Sequence, residues 1–144
     1  MQPLPHLYTV SASGPSVGLV ALNTDGAPEL QSTPPREFDG PGDQWSPESL
    51  LIAAAASCFV LTFRAVARAS KLEWTKLECT VEGTLDRIDG VTRFTQVVTR
   101  ARLTAPATAI EELCDRALER AEHGCLVTNS LNAQRDLHTQ IIRD

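Results

Sequence analysis

The spacing of hydrophobic and polar residues along the first third of the chain predicts short strands joined by turns. Apolar and polar residues alternate over residues 7–12, and short apolar runs recur at 17–22 and near 29–32, with glycine, proline, asparagine or aspartate between them. This pattern predicts a meander of about three strands. Residues 33–45 contain two consecutive prolines and a Gly-Pro-Gly run, which predicts a loop.

A long helix is predicted to begin at Ser46. Serine is a favourable N-cap, Pro47 suits the first helical position, and the Glu48 carboxylate favours the first turn. Apolar residues then recur at three- and four-residue spacing to about Ser70. The alanine run 53–56 has little side-chain bulk, so we expect another backbone to approach this helix closely.

The second half of the chain alternates between strand and helix patterns. It predicts, in order, a strand over 74–85, a strand over 91–103, a helix over 107–123, a short helical piece over 125–132 and a closing strand over 137–142. The Asp89-Gly90 pair predicts the turn of a long hairpin. The expected fold class is therefore α+β, in a single domain over residues 1–144.

Composition narrows the class of protein. The chain is 42% hydrophobic and 22% charged, with a formal net charge of −5, values typical of a soluble globular domain. An acidic balance argues against nucleic acid and anionic membranes as partners. The longest apolar run, Leu50 to Phe63, ends at Arg64 and is predicted to be too short to span a bilayer.

The four cysteines are the remaining chemical signal. The chain opens without a secretion-type leader pattern, so we expect a cytoplasmic, reducing setting with free thiols. Cys79 and Cys114 lie on apolar faces and are predicted to be packing residues. Cys125 follows a predicted helix end and is expected to be more exposed than the others, with packing and chemistry equally open. Cys58 lies on an apolar helix face, where a thiol is inert unless a cation lowers its pKa.

Other site chemistries have little support in the sequence. No cysteine pair shows the two-residue spacing of a zinc knuckle, so no metal is expected. The chain also lacks a Gly-x-Ser-x-Gly elbow and a glycine-rich phosphate loop.

Three segments, taken in order, resemble the OsmC/Ohr family of osmotically inducible and organic hydroperoxide resistance proteins. They are Ser46-Pro47-Glu48-Ser49-Leu50-Leu51, Ala53-Ala54-Ala55-Ala56-Ser57-Cys58 and Gly124-Cys125-Leu126-Val127-Thr128-Asn129-Ser130-Leu131. The order of predicted elements is also similar, over essentially the whole chain. The resemblance implies an OsmC-like fold, with antiparallel sheets packed around a long central helix in an intertwined homodimer.

The resemblance also implies an activity. Members are thiol-dependent peroxidases that reduce organic hydroperoxides during oxidative stress without a cofactor. The peroxidatic cysteine corresponds to Cys58, the resolving cysteine to Cys125, and the glutamate of the Pro-Glu motif to Glu48. The two cysteines would form a disulfide, which a dithiol such as a lipoyl-type reductant, or a small thiol, would reduce.

One position departs from the family pattern. The family's activating arginine comes from the N-terminal strands, but residues 1–35 contain no arginine or lysine, and Arg36 is the first cation. Arg36 is therefore the substitute candidate to pair with Glu48. The alternatives are a redox-sensing or small-electrophile-binding protein with little peroxidase activity, and a non-catalytic dimeric ligand-binding domain.

The apolar residues Leu51, Phe59 and Trp45 are expected to favour an organic hydroperoxide.

Overall fold

The computed structural model describes residues 1–144 and divides into two compact units, Met1–Leu51 and Ile52–Asp144. Each unit has its own three-stranded sheet. The expectation of a single domain over residues 1–144 stays a prediction.

The first unit contains the predicted meander. Its strands are β1 (Ser11–Ser13), β2 (Val20–Asn23) and β3 (Leu30–Ser32), paired antiparallel in the order β1-β2-β3. The first strand is shorter than the alternation over 7–12 predicts. Asn23, the last residue of β2, lies opposite Ser11, so no partner backbone continues the ladder towards the N-terminus.

The long helix α1 (Pro47–Ala69) begins where the sequence predicts. The Ser46 hydroxyl accepts a hydrogen bond from the Ser49 N–H at 3.1 Å, and the Ser49 hydroxyl accepts one from the Ser46 N–H at 2.9 Å. This reciprocal pair satisfies two N–H groups at the helix start, as in a capping box. The prediction that Ser46 caps the helix is confirmed.

The apolar stretch of helix α1 is longer than the sequence analysis predicted. Its 23 residues include an 18-residue window of mean hydropathy 2.1, so by length and composition alone it is long enough to cross a membrane. The prediction that the apolar run is too short to do so is wrong, because the helix continues past Arg64 to Ala69. Helices in the cores of soluble proteins pass the same test, and Phe59, Phe63 and Ala67 of α1 are buried in the core of the second unit.

The second unit contains a mixed sheet and two further helices. Its elements are β4 (Lys76–Ile88), β5 (Val91–Ala105), α2 (Glu111–Gly124), α3 (Leu126–Asn129) and β6 (Gln134–Arg143). The hairpin β4–β5 is antiparallel, and its turn residues Asp89 and Gly90 have φ angles of 52° and 78°. β6 pairs with β5 in parallel, which corrects the expectation of purely antiparallel sheets. The chain reaches β6 through α2 and α3, and such a crossover brings a strand back in parallel.

One hydrophobic core unites the helices and the sheet of this unit. It consists of Phe59, Phe63 and Ala67 from α1, Ala101, Leu103 and Ala105 from β5, and Cys114, Ala117, Leu118 and Ala121 from α2. The core fixes α2 against α1 and β5. The C-terminal end of α2, which leads into Cys125, is positioned by this packing.

Candidate active site

The structure brings Cys58 and Cys125 to the same place in the second unit. The Cys125 thiol donates a long hydrogen bond to the Ala55 carbonyl, with Sγ 3.9 Å from the oxygen. Ala55 lies one helical turn before Cys58 on α1, and Thr62 lies one turn after it. The Thr62 hydroxyl lies 3.8 Å from the Cys58 Sγ. The turn of α1 that carries Cys58 therefore faces the segment that carries Cys125.

Gly124 makes this close approach possible. A Cβ atom at Gly124 would lie 3.2 Å from the Thr62 methyl carbon, which is tighter than ordinary van der Waals contact. Because glycine lacks that atom, the last turn of α2 reaches α1 beside Thr62. The close approach is at Thr62, two turns after the alanine run, so the expectation that another backbone approaches residues 53–56 closely stays a prediction.

The surroundings of Cys58 lower its pKa. Partial burial by itself raises the pKa, but hydrogen bonds from the Val127 N–H, the Cys125 thiol, the Thr62 hydroxyl and the Leu126 N–H outweigh it. The net result is a pKa below the ordinary value of a cysteine. A lowered pKa raises the thiolate fraction at neutral pH, and the thiolate is the nucleophilic form.

The environment of Cys125 acts in the opposite direction. Its side chain is only 1% exposed, so the expectation that Cys125 is the most exposed of the four is wrong. The sequence predicted an exposed position just after a helix end. Cys125 is buried instead because its Sγ faces the Ala55 carbonyl of α1. Burial, followed by the charge and hydrogen bonding of Cys58, raises the pKa of Cys125, while Thr128 opposes the shift. Cys125 therefore ionises less readily than its neighbour Cys58.

The other two cysteines are packing residues, as predicted. Cys114 is fully buried in the core, and Cys79 packs at the margin of that core from β4. Burial raises the pKa of Cys79 to about 11, with further contributions from Cys125 and Glu122. Burial likewise raises the pKa of Cys114. Neither thiol is ionised appreciably at neutral pH.

Arg36 and Glu48 both lie in the first unit and do not pair with each other. The Arg36 guanidinium lies over Gly42, where a Cβ would come within 2.6 Å of its Nε and Nη2 atoms. One carboxyl oxygen of Glu48 is buried without a hydrogen-bond partner, and neither residue is among the ion pairs of the chain. The expected pair between Arg36 and Glu48 is therefore absent from the chain, while the catalytic roles suggested for the two residues stay predictions.

Sequence reasoning missed the groups that surround Cys58. Thr62 lies four residues after Cys58 on the same helix face, and that spacing was available as a signal. The N–H groups of Leu126 and Val127 could not be inferred, because only the tertiary fold brings them to Cys58. Phe59, expected to favour an organic substrate, is a core residue and is 1% exposed. No cluster of three or more histidine, cysteine, aspartate or glutamate side chains is arranged to hold a metal ion.

This arrangement has a definite chemical capability. A thiol whose pKa is lowered by backbone and side-chain donors lies beside a second thiol that can attack it once it is oxidised. Both sulfurs are free thiols in the structure.

Comparison with known proteins agrees with the fold. Over 109 residues, 74% of this chain and 73% of its relative, the sequence is 27% identical to the uncharacterised protein YmaD of Bacillus subtilis. An OsmC-like protein from Mycoplasma pneumoniae superposes with a TM-score of 0.82 at 14% identity, over 96% of this chain and 99% of that one. An organic hydroperoxide resistance protein from Elizabethkingia anophelis superposes with a TM-score of 0.77 at 21% identity, over the whole of both chains.

The family comparison covers most of the chain. The family model described as OsmC-like protein matches residues 40–139, which include both Cys58 and Cys125. The structural likenesses confirm the predicted α+β fold with two sheets and a long helix. The chain belongs to the OsmC-like protein family.

Proposed function

We propose that this protein is a thiol-dependent peroxidase that reduces organic hydroperoxides, with Cys58 as the peroxidatic and Cys125 as the resolving cysteine. The observation that carries the proposal is that Cys125 lies against the turn of α1 that carries Cys58, where hydrogen-bond donors lower the pKa of Cys58 and burial raises the pKa of Cys125. Family membership and the likeness to proteins called organic hydroperoxide resistance proteins support the choice of substrate.

The first step consumes the hydroperoxide. The Cys58 thiolate attacks the terminal oxygen of ROOH, the O–O bond breaks, and the alkoxide takes a proton to leave as ROH. Cys58 is oxidised by two electrons to a sulfenic acid. The hydrogen bonds that lower the pKa of Cys58 keep the thiolate available for this attack.

The second step closes a disulfide. The Cys125 sulfur attacks the Cys58 sulfenic acid, and the hydroxyl group leaves with the Cys125 proton as water. An external dithiol, of lipoyl type, then reduces the disulfide and is itself oxidised to a disulfide. A small thiol can serve in place of the dithiol, with two molecules consumed per cycle. This cycle operates in a reducing, cytoplasmic setting and requires no cofactor.

We further propose that the protein works as a homodimer. One face of α1 is exposed and includes the small or apolar residues Ala54, Ser57, Leu61 and Ala65, beside the exposed Arg64 and Arg68. Leu61 alone is 55% exposed. A second copy that covered this face would remove apolar surface from water, the usual driving force for association.

A stoichiometric oxidation experiment tests the peroxidase. Reduced protein is mixed with one equivalent of cumene hydroperoxide, and free thiols are counted over time while cumyl alcohol is quantified. We expect rapid loss of two thiols and formation of one alcohol per chain. The Cys58→Ser variant should lose both events, and the Cys125→Ser variant should accumulate a sulfenic acid that dimedone traps. Cys114→Ser is the matched control and should behave as the unaltered protein.

The same experiment distinguishes the peroxidase from the alternative function. The buried, unpartnered oxygen of Glu48 and the absence of cations in residues 1–35 favour a slower thiol, as in a redox sensor or a binder of small electrophiles. A rate of thiol loss no faster than that of a free model thiol would refute the peroxidase. Reaction of Cys58 with an electrophile such as a quinone under the same conditions would then favour the alternative.

A further inference from the structure

Arg135 makes the densest set of side-chain hydrogen bonds in the second unit. It is the second residue of β6, in register with Val97 of β5. Its Nε donates to the Glu122 carboxylate at 2.9 Å, Nη1 donates to the Asn129 side-chain carbonyl at 2.7 Å, and Nη2 donates to the Thr128 hydroxyl at 2.8 Å. Nη2 also donates to the Glu122 backbone carbonyl.

These acceptors flank Cys125 on both sides. Glu122 belongs to the last turn of α2, while Thr128 and Asn129 belong to α3. The Asn129 amide in turn donates to the His123 carbonyl at 3.1 Å, which ties the two helices together a second time. The guanidinium therefore spans the bend between α2 and α3 at which Cys125 lies.

The network reaches the Cys125 backbone through Thr128. The buried Thr128 hydroxyl accepts from Arg135 and donates to the Cys125 carbonyl at 3.2 Å. The side chains of Arg135 and Glu122 are 27% and 14% exposed, so water competes weakly for their hydrogen bonds. Arg135 touches neither Cys58 nor Cys125 through a side-chain hydrogen bond.

We infer that Arg135 is a positioning residue that holds Cys125 and the residues after it against the Cys58 turn of α1. The inference rests on the proposed Cys58–Cys125 chemistry and deepens it. Without the guanidinium, α2 and α3 lose their common anchor, and Cys125 spends less time within reach of Cys58. The effective concentration of one thiol towards the other falls as a result.

Arginine suits this role better than lysine. The planar guanidinium presents several donors in a fixed fork and uses them here on three residues at once. A lysine ammonium is a point charge on a flexible chain, and it cannot bond Glu122, Thr128 and Asn129 in the same geometry. The Arg135→Lys variant should therefore retain only part of the effect.

The test measures the equilibrium between the Cys58–Cys125 disulfide and glutathione, by mass spectrometry of protein equilibrated in defined glutathione buffers. This readout reports effective concentration and does not require peroxide to be the substrate. We expect Arg135→Met to lower the equilibrium constant for disulfide formation about tenfold or more, because several charge-assisted hydrogen bonds are lost. Arg135→Lys should fall between Arg135→Met and the unaltered protein.

Arg143→Met is the matched control. Arg143 lies on the same strand and also donates to backbone carbonyls, those of Pro106 and Ala109, but at the opposite end of α2. Its loss should leave the equilibrium constant unchanged. An equal fall in both variants, or no fall in Arg135→Met, would overturn the inference. If Arg135→Met does not fold, Arg135→Lys carries the test, and an equilibrium constant equal to that of the unaltered protein overturns the inference.

The result of the disulfide equilibrium test does not depend on whether the peroxidase proposal is correct. If cumene hydroperoxide fails to oxidise the unaltered protein while Arg135→Met still lowers the equilibrium constant, the peroxidase fails and the positioning role stands. If the peroxide reacts rapidly and Arg135→Met leaves the equilibrium constant unchanged, the positioning role fails and the peroxidase stands.

Discussion

At the scale of single residues, the four thiols of this chain differ because their hydrogen-bond donors differ. Cys58 is surrounded by donors that stabilise its thiolate, whereas Cys114 is buried and Cys79 half-buried among apolar groups. Burial without donors favours the neutral thiol and makes it unreactive. The thiols of one chain thus differ in how readily they ionise.

The order in which the thiols react with limiting iodoacetamide follows from this difference. Near neutral pH, Cys58 should be alkylated first, because its lowered pKa gives it the largest thiolate fraction. Cys79, with a pKa of about 11, and the buried Cys114 should react only at strongly alkaline pH or after unfolding. Peptide mass spectrometry gives the order, and labelling of Cys79 or Cys114 before Cys58 would contradict it.

The Thr62 hydroxyl offers a more specific test of how the pKa of Cys58 is lowered. Thr62→Val removes the hydroxyl donor and keeps a methyl group near Gly124, so the packing is preserved. The loss of one hydrogen bond to the thiolate should raise the pKa of Cys58 and slow its alkylation at pH 7 by about threefold to tenfold.

The matched control for Thr62→Val is Thr80→Val on the exposed face of β4, which should leave the alkylation rate unchanged. The measurement is the pH dependence of the iodoacetamide rate at Cys58. In Thr62→Val the whole profile should move to higher pH. A profile that does not move would show that the hydroxyl contributes nothing to the thiolate.

The sequence singles out Cys58 and Cys125 as candidate reactive cysteines, but it does not show which groups surround Cys58. Resemblance to a family pointed to Cys58 and Cys125, and the apolar spacing pointed to the inert roles of Cys79 and Cys114. The donors Leu126 and Val127 lie far from Cys58 in the sequence, and their backbone N–H groups carry no residue-type signal. The Arg135 network was also missed, because its partners Glu122, Thr128 and Asn129 meet the guanidinium only when α2, α3 and β6 pack together.

At the scale of elements, hydrophobic periodicity predicted nearly every helix and strand. The strands β4 and β5 extend two or three residues beyond the predicted ends, and α1 begins at the predicted proline. The expected antiparallel direction of β6 was wrong, because alternation looks the same in parallel and antiparallel strands. Direction is set by the connection through α2 and α3, which is a tertiary property.

The hairpin turn at the end of β4 provides an element-scale prediction. Gly90 has a φ of 78° and no neighbouring atoms within 4 Å of a built Cβ, so substitution there tests backbone strain alone. Gly90→Ala should lower the free energy of unfolding by about 1 kcal/mol, since alanine disfavours the left-handed region. Gly90→Asn should lose less, because asparagine tolerates that region. Urea unfolding midpoints measure the stability of both variants. A Gly90→Ala variant as stable as the unaltered protein would contradict the prediction that alanine is strained at this position.

At the scale of the whole molecule, the proposed chemistry and the proposed assembly both depend on α1. One face of the helix carries Phe59, Phe63 and Ala67 into the core of the second unit, and the turn at Cys58 faces Cys125. A further face, with Ala54, Leu61 and Ala65, remains exposed. The high hydropathy of α1 is therefore accounted for only in part by burial within one chain, which is the reason to expect a second copy.

The oligomeric state tests that expectation directly. Leu61→Arg places a charge on the exposed face of α1, and the cost of burying it should weaken self-association about a hundredfold or more. Leu61 is 55% exposed in the single chain, so the substitution should leave the fold of each chain intact. Sedimentation equilibrium should show a dimer for the unaltered protein and a shift towards monomer for Leu61→Arg.

The matched control for Leu61→Arg is Ile110→Arg, at an apolar position that is 61% exposed and precedes α2. It adds the same charge away from the exposed face of α1 and should sediment as the unaltered protein does. A monomeric unaltered protein would refute the homodimer. Dissociation by Ile110→Arg but not by Leu61→Arg would show that the copies associate through another surface, because a buried charge disrupts only the interface that contains it.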